Sequence, residues 1–165
     1  MRHGDRLLLV LAAIGAAACT IEPRTDRDPV ETVSTRRQII QPEGMPRLPV
    51  FSTAVRSGDF IFLSGQLGAL PGVSPPQLIE GGVEAETRQT MDNIVATLAA
   101  AAATLDDLVK CTVFLADIGD YAAMNAVYAE YFPSDPPARS AVAGSGLALG
   151  ALVEIECIAA VPEGS

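Results

Sequence analysis

The sequence predicts one α+β domain in which two helices pack on the same face of a mixed β-sheet. Apolar residues make up 49% of the 165 residues, which is enough for a single hydrophobic core. Stretches with strand and helix periodicity follow one another in the order ββ, α, β, α, ββ. A helix between successive strands implies a crossover connection over one face of the sheet, so both helices are expected on that face.

The first half of the domain is predicted to be a hairpin followed by a helix. Residues 50–56 and 60–66 are β-rich, and Ser57-Gly58-Asp59 between them is typical of a hairpin turn. The helix is expected to begin at Gly81-Gly82. Its apolar stripe at helical spacing is Met91, Ile94, Val95 and Leu98. The charged residues expected away from that stripe are Glu84, Glu86, Arg88 and Asp92.

The second half is predicted as strand, helix and two closing strands. Residues 110–115 form the strand, and its buried face is expected to carry Val109, Cys111, Val113 and Leu115. Asp120 can cap the second helix, which ends near Phe132-Pro133. Its apolar stripe, interpreted as packing between helix and sheet, is Tyr121, Met124, Val127, Tyr128 and Tyr131. The closing strands are predicted at 139–143 and 151–161.

The last strand indicates that the sheet has a half-polar second face. Glu154 and Glu156 alternate with apolar residues, so their carboxylates point away from the helices. A sheet face that is neither fully polar nor covered predicts a subunit interface with a cleft in it.

Composition excludes several classes of protein. The only histidine is His3 and the only lysine is Lys110, and the three cysteines have no CxxC spacing. A domain without histidine cannot run a Ser-His-Asp relay or build a His-ligated zinc site, so no metal and no cofactor are expected. Without residues 1–18 the chain carries 9 basic and 19 acidic residues, a net charge of −10. That charge repels phosphate backbones, so nucleic acid is not expected as a partner.

The first 44 residues are predicted to be a leader and a linker. Arg2 and Arg6 precede an apolar run that ends in small residues before Cys19, as in a bacterial lipoprotein signal peptide over 1–18. The end of the run also fits an ordinary cleavage site, which is the less favoured alternative. The sequence therefore predicts export to the periplasm, with lipidation at Cys19 as the only membrane attachment. Residues 19–44 are predicted to be a flexible linker, which leaves 45–165 as the domain.

An ordered set of motifs over most of 49–161 resembles the reactive-intermediate deaminase (RidA/YjgF) family. The motifs include Leu63-Ser64-Gly65-Gln66, Glu86-Thr87-Arg88-Gln89, Asn125-Ala126-Val127-Tyr128, Pro137-Ala138-Arg139-Ser140 and Val153-Glu154-Ile155-Glu156. The resemblance implies a chorismate-mutase-like fold and a homotrimer with ligand clefts between subunits. It also implies hydrolysis of enamines and imines derived from amino acids, which yields a 2-keto acid and ammonia.

The resemblance also implies the site residues. Arg139 matches the arginine that holds the substrate carboxylate, and Glu154 matches the glutamate that positions or activates water. The residues that match positions lining the cleft are Phe51, Gly65, Asn125 and Ala141. Phe51 stands where many relatives have tyrosine, and Ala141 where many have cysteine.

Two further functions stay open at this stage. A non-catalytic trimer could use the same cleft to bind small carboxylates, and the missing tyrosine hydroxyl favours it. RNA cleavage is disfavoured by the acidic charge and the absent histidine. Cys111 and Cys157 are expected to be buried free thiols, with a disulfide as the alternative.

Overall fold

One mixed sheet of seven strands carries two helices on one face. The computed structural model describes residues 37–45 and 47–161. All of them belong to one compact unit, Val33–Ser165. The strands are β1 (Gln38–Ile40), β2 (Ala54–Ser57), β3 (Phe60–Leu63), β4 (Gln66–Leu67), β5 (Leu108–Leu115), β6 (Ala138–Ala143) and β7 (Val153–Ala160). The helices are α1 (Gly82–Ala100) and α2 (Tyr121–Glu130). The predicted fold class is confirmed.

The sheet order is β1-β2-β3-β7-β5-β6, and β4 pairs with β7 beside β3. The β5–β6 pair is parallel and the other pairs are antiparallel. A parallel pair needs a crossover, and α2 supplies it between β5 and β6. The last strand of the chain therefore lies in the middle of the sheet, and β6 forms one edge.

The predicted linker at 19–44 is too long. Gln38–Ile40 form β1, which pairs with β2 at the other edge of the sheet. Only three residues pair, and the segment has no long apolar run, so periodicity could not reveal it. The leader predicted at 1–18 lies outside the described residues.

The helix α1 buries most of its predicted stripe. Met91, Ile94 and Leu98 are fully buried against the sheet, whereas Val95 is 41% exposed and lies outside the stripe. The predicted position of Glu86 on the solvent side is wrong, since its side chain is only 6% exposed.

The strand β5 differs from its predicted pattern at one end. Cys111, Val113 and Leu115 are buried on the helix-covered face as expected. The pairing with β7 shifts between Leu108 and Lys110, so Leu108 takes the inner position and Val109 is exposed. This bulge adds one residue and reverses the alternation upstream of it.

The two domain cysteines are joined, which corrects the expectation of free thiols. Cys111 and Cys157 lie directly opposite each other on β5 and β7, both facing the helices, and form a disulfide. Sequence could not show that these positions would be register partners. The disulfide ties β7, which carries Glu154, to β5, which pairs with the strand that carries Arg139.

The helix α2 buries Met124, Val127 and Tyr128, while its first residue, Tyr121, stays 40% exposed. An ion pair between Arg88 of α1 and Glu130 of α2 joins the outer surfaces of the helices. Both side chains are about half exposed, so water screens this pair and the apolar contacts hold the layer. Neither helix in the described part of the chain has the length and apolar character needed to cross a membrane.

Candidate functional site

Arg139 lies on the edge strand β6 and points toward α2. In the parallel register it pairs with Cys111, whose side chain faces the helices, so Arg139 lies on the same face. Its Nη2 donates hydrogen bonds to Asn125 Oδ1 at 2.6 Å and to the Tyr121 hydroxyl at 3.1 Å. These bonds fix the orientation of the planar guanidinium before any ligand binds.

The ring of Tyr128 packs against the Arg139 guanidinium. The Arg139 Cζ lies 4.5 Å from the centre of the Tyr128 ring, a distance typical of a cation–π contact. Burial raises the pKa of the Tyr128 hydroxyl to about 12, and the nearby Arg139 charge acts in the opposite direction. The phenol is therefore neutral at physiological pH.

One nitrogen of Arg139 is left for a partner. Nη1 is buried and has no hydrogen-bond partner in the described part of the chain. Buried guanidinium nitrogens are costly when unpaired, so a free donor on a pre-oriented arginine is suited to an incoming carboxylate. Ala141 lies two residues further along the same face of β6. We call Arg139, Asn125, Ala141, Tyr121 and Tyr128 the arginine half-site.

Glu154 lies against a glycine on the other face of the sheet. Residue 154 pairs with Leu67 of β4, which brings its side chain over Gly65. A Cβ added at Gly65 would overlap Glu154 Oε1 and lie 2.7 Å from the carboxyl carbon. Only glycine leaves this space for the carboxylate.

The charge on Glu154 is disfavoured in the single chain. Partial burial raises the pKa of its carboxyl above the ordinary value, and repulsion from Glu156 raises it further. Arg139 of the same chain does not contribute to this shift. A raised pKa makes the ionised carboxylate a stronger base.

Phe51 and Gly65 line a pocket of about 370 Å³. Phe51 is 53% exposed, and it presents a bare ring where a tyrosine would place a hydroxyl. We call Glu154, Gly65 and Phe51 the glutamate half-site.

The two half-sites face away from each other within one chain. Arg139 pairs with Cys111 of β5, whereas Glu154 pairs with Phe114 of the same strand. Residues three apart on a strand point to opposite faces, so the sheet separates the guanidinium from the carboxylate. The predicted site residues thus form two groups of three, and a single protomer does not bring the groups together.

Glu86 holds the start of β7 and was missed by sequence reasoning. Its Oε2 accepts a hydrogen bond from the backbone N–H of Leu152 at 2.8 Å, two residues before Glu154. A Cβ at Gly68 would lie 2.8 Å from the Glu86 Cα, so α1 also packs tightly on the chain after Gly65. Glu86 therefore contacts both segments of the glutamate half-site, through its carboxylate at Leu152 and through its backbone at Gly68.

Tyr121 and Tyr128 were predicted to serve only packing. Their spacing with Asn125, four residues and then three, places all three side chains on one helix face. That spacing is the signal that could have indicated a shared partner. Among the residues that the structure describes, no group of three His, Cys, Asp or Glu side chains could hold a metal ion. Cys19 lies outside the described residues.

A family model described as endoribonuclease L-PSP matches residues 45–161. A chloroplastic reactive intermediate deaminase A from Arabidopsis thaliana is 34% identical over 167 residues, 95% of this chain and 88% of the relative. A 2-iminobutanoate/2-iminopropanoate deaminase from Capra hircus is 43% identical over 124 residues, 75% of this chain and 89% of the relative. The crystal structure of Escherichia coli TdcF with bound serine has a TM-score of 0.68 and 30% identity, and the match covers 74% of this chain and 98% of that one.

The relatives correct the prediction of a lipoprotein leader. Those whose names state a compartment are chloroplastic or mitochondrial, and none points to a secretory signal peptide or a lipid anchor. These relatives therefore contradict the prediction of a signal peptide and a lipoprotein. Residues 1–18 and Cys19 themselves lie outside the described part of the chain. The motif itself was weak, because Ala16 occupies the position where a lipobox usually has leucine.

Proposed function

The chain belongs to the reactive-intermediate deaminase (RidA/YjgF) family, and from this premise we propose that it hydrolyses 2-imino acids and their enamine tautomers to 2-keto acids and ammonia. The observation that carries the proposal is Nη1 of Arg139, a buried donor that has no hydrogen-bond acceptor among the described residues. A substrate carboxylate is the partner that fits it.

We propose that the working unit is a homotrimer in which each cleft takes its two half-sites from neighbouring protomers. The support is the separation of Arg139 and Glu154 by the sheet, since one copy alone cannot grip a small molecule with both. The face that carries Glu154 also exposes Phe60 and Phe62, an apolar surface suited to burial against another copy.

In the proposed reaction, Arg139 holds the carboxylate and the glutamate of the neighbouring copy acts on water. Glu154 takes a proton from water as the oxygen adds to the imine carbon, and the C=N π electrons move to nitrogen. The protonated Glu154 then donates to that nitrogen, which gives a carbinolamine. Glu154 next takes the proton of the new hydroxyl group and passes it to the amino group, so that the C–N bond breaks, ammonia leaves and the C=O bond forms. An enamine must first gain a proton at its β-carbon to become the imine.

The energetic demand on the site is modest. General base catalysis supplies about 10²–10⁴-fold, which corresponds to roughly 3–5 kcal/mol. A carboxyl with a raised pKa suits both proton transfers, because it is a stronger base when ionised and still donates readily when protonated.

A second candidate is a non-catalytic trimer that binds small carboxylates. Phe51 favours it, because the ring offers no hydroxyl to order a water molecule in the glutamate half-site. The related TdcF was crystallised with serine, an amino acid rather than an imine.

The two candidates differ in turnover. The test is to generate 2-iminobutanoate with an amino acid oxidase and trap the remaining imine with semicarbazide, with and without the protein. Faster loss of imine with wild type, but not with Glu154→Gln, supports the deaminase. Unchanged imine loss, together with thermal stabilisation by 2-ketobutyrate that Arg139→Ala removes, selects the binding protein.

A further inference from the structure

The pocket beside the glutamate half-site has a composition that selects among substrates. It is enclosed by residues of three segments, 45–53, 65–76 and 148–149, and by Asn93 of α1. Most of its surface comes from apolar side chains, among them Met45, Leu48, Leu70, Val73 and Leu149. None of the residues that line it, all within the described part of the chain, is charged.

Two polar side chains in the wall, Asn93 and Gln66, already have hydrogen-bond partners. Asn93 Nδ2 donates to the carbonyls of Leu67 and Ala69, both at 2.9 Å, and its Oδ1 accepts from Gln89. Gln66 Nε2 donates to the Ser64 carbonyl at 3.1 Å. A polar or charged group entering the pocket would lose its hydration without gaining these partners, which is unfavourable.

The pocket shares two residues, Gly65 and Phe51, with the glutamate half-site. Gly65 lines the pocket and also carries the Glu154 carboxylate against its Cα, and Phe51 lines the same wall. At about 370 Å³ it is within the range of ligand pockets, roughly 300–1,000 Å³, and larger than a methyl or ethyl group needs.

The rim of the pocket is formed by an unusual leucine. Leu149 is 60% exposed and has a left-handed backbone conformation, with φ of 60°. Few non-glycine residues adopt this conformation, which costs free energy and is found disproportionately at ligand sites. The strained turn holds a large apolar side chain at the pocket mouth rather than in the core.

Building on the proposed deaminase function, we propose that this pocket takes the substrate side chain and that the preferred substrates are 2-imino acids with large apolar side chains. These correspond to the imines of leucine, methionine and phenylalanine. Those of alanine and 2-aminobutyrate, for which the Capra hircus relative is named, would fill only part of the space. Imines of glutamate or arginine would place a charge against an uncharged wall.

The test compares kcat/KM across a series of imines made by amino acid oxidases from alanine, leucine, phenylalanine and glutamate. Each buried methylene is worth about 10-fold or more in a well-formed apolar pocket. The leucine imine should therefore exceed the alanine imine by at least about 10-fold, and the glutamate imine should be the poorest. A ratio of one or below between leucine and alanine overturns the inference while leaving the deaminase function standing.

A matched pair of variants locates the effect in the pocket. Leu149→Glu and Leu149→Gln have nearly the same shape and differ in charge, and the exposed position keeps both compatible with folding. The ratio of kcat/KM for the leucine imine to kcat/KM for the alanine imine should fall about 10-fold further in Leu149→Glu than in Leu149→Gln. Equal ratios in the two variants would place the side-chain site elsewhere.

The inference can be tested even if no imine is hydrolysed, an outcome that would refute the deaminase function. The probes are then pyruvate, 4-methyl-2-oxopentanoate and 2-oxoglutarate, measured by calorimetry. Binding of 4-methyl-2-oxopentanoate at least about 10-fold tighter than pyruvate supports the pocket assignment. Equal or weaker binding overturns it.

Discussion

The two half-sites differ in how much of their geometry exists before a ligand arrives. In the arginine half-site, the guanidinium is fixed by Asn125, Tyr121 and the Tyr128 ring. In the glutamate half-site, the Glu154 carboxylate rests on Gly65, and burial and Glu156 disfavour its charge. A binding group gains from being held still, whereas a proton-transfer group gains from an easily changed protonation state. The contrast supports the proposed division, in which the arginine half-site anchors the substrate and the glutamate half-site carries out the chemistry.

The largest effect should come from breaking each half-site and then combining the broken copies. Glu154→Gln should lower kcat/KM by about 10²–10⁴-fold. Arg139→Ala should lower it by about 100-fold, since it removes a buried charged partner of the carboxylate. Co-expressing the two variants with different tags should restore about a quarter of wild-type activity, because random assembly leaves a quarter of the clefts with both groups intact.

The matched control for this mixture is Arg139→Ala co-expressed with itself under the same two tags, which should recover nothing. A mixed preparation as inactive as that control would show that Arg139 and Glu154 do not act together across protomers. It would thereby refute the proposed cleft.

A smaller decrease in kcat/KM is expected from Gly65→Ala. The new methyl group would displace the Glu154 carboxylate, and a shift of about 1 Å can lower activity by about 100-fold. Because the atoms displaced are the end of a flexible side chain, the unfolding free energy should change by less than about 1 kcal/mol. Gly144→Ala is the matched control, since an added Cβ there meets nothing within 4 Å. Equal kcat/KM in the two variants would mean that Gly65 does not place Glu154.

Glu86→Ala should affect stability and the glutamate half-site together. It leaves the Leu152 N–H without its acceptor, at a cost of about 1–3 kcal/mol in the free energy of unfolding by denaturant. Glu86→Gln keeps an oxygen acceptor, so its free energy of unfolding should fall less. Glu84 is exposed on the same helix, and Glu84→Ala should lower the free energy of unfolding least. If Glu86→Ala is as stable as Glu84→Ala, the hydrogen bond contributes nothing.

Periodicity predicted the parts of the fold in which local pattern and packing agree. Met91, Ile94 and Leu98 are buried as their spacing indicates, because a helix stripe has one consistent partner, the sheet. Val109 and Glu86 were misplaced for a physical reason. A bulge inserts a residue into the alternation at Val109, and a buried carboxylate is stable at position 86 only because a distant backbone N–H meets it.

Strand register explains what the sequence could not show of the site. The disulfide between Cys111 and Cys157 requires the two residues to be opposite each other, which depends on how β5 and β7 align. The same alignment places Arg139 and Glu154 on opposite faces. The motifs identified which residues to consider, and only the paired strands showed that they form two separate groups.

The smallest expected effect is on stability. It tests whether the charge of Glu154 is disfavoured in the folded protein while that of Arg139 is accommodated. A raised pKa means that folded Glu154 binds a proton more tightly than the unfolded chain does, so ionisation destabilises the fold. The penalty is absent below the ordinary glutamate pKa and develops as the pH rises through the raised value. Glu154→Gln should therefore increase the unfolding free energy at pH 8 by less than about 1 kcal/mol, and should have no such effect at pH 3–4.

The same measurement in an Arg139→Ala background sharpens the comparison. If the guanidinium of a neighbouring copy approaches Glu154, it offsets part of the penalty, and removing it should enlarge the stabilisation by Glu154→Gln at pH 8. Denaturant unfolding at both pH values in the four variants of this cycle measures that coupling. A Glu154→Gln variant that is less stable than wild type at pH 8 would contradict the raised pKa. It would mean that the glutamate half-site is as firmly paired as the arginine half-site.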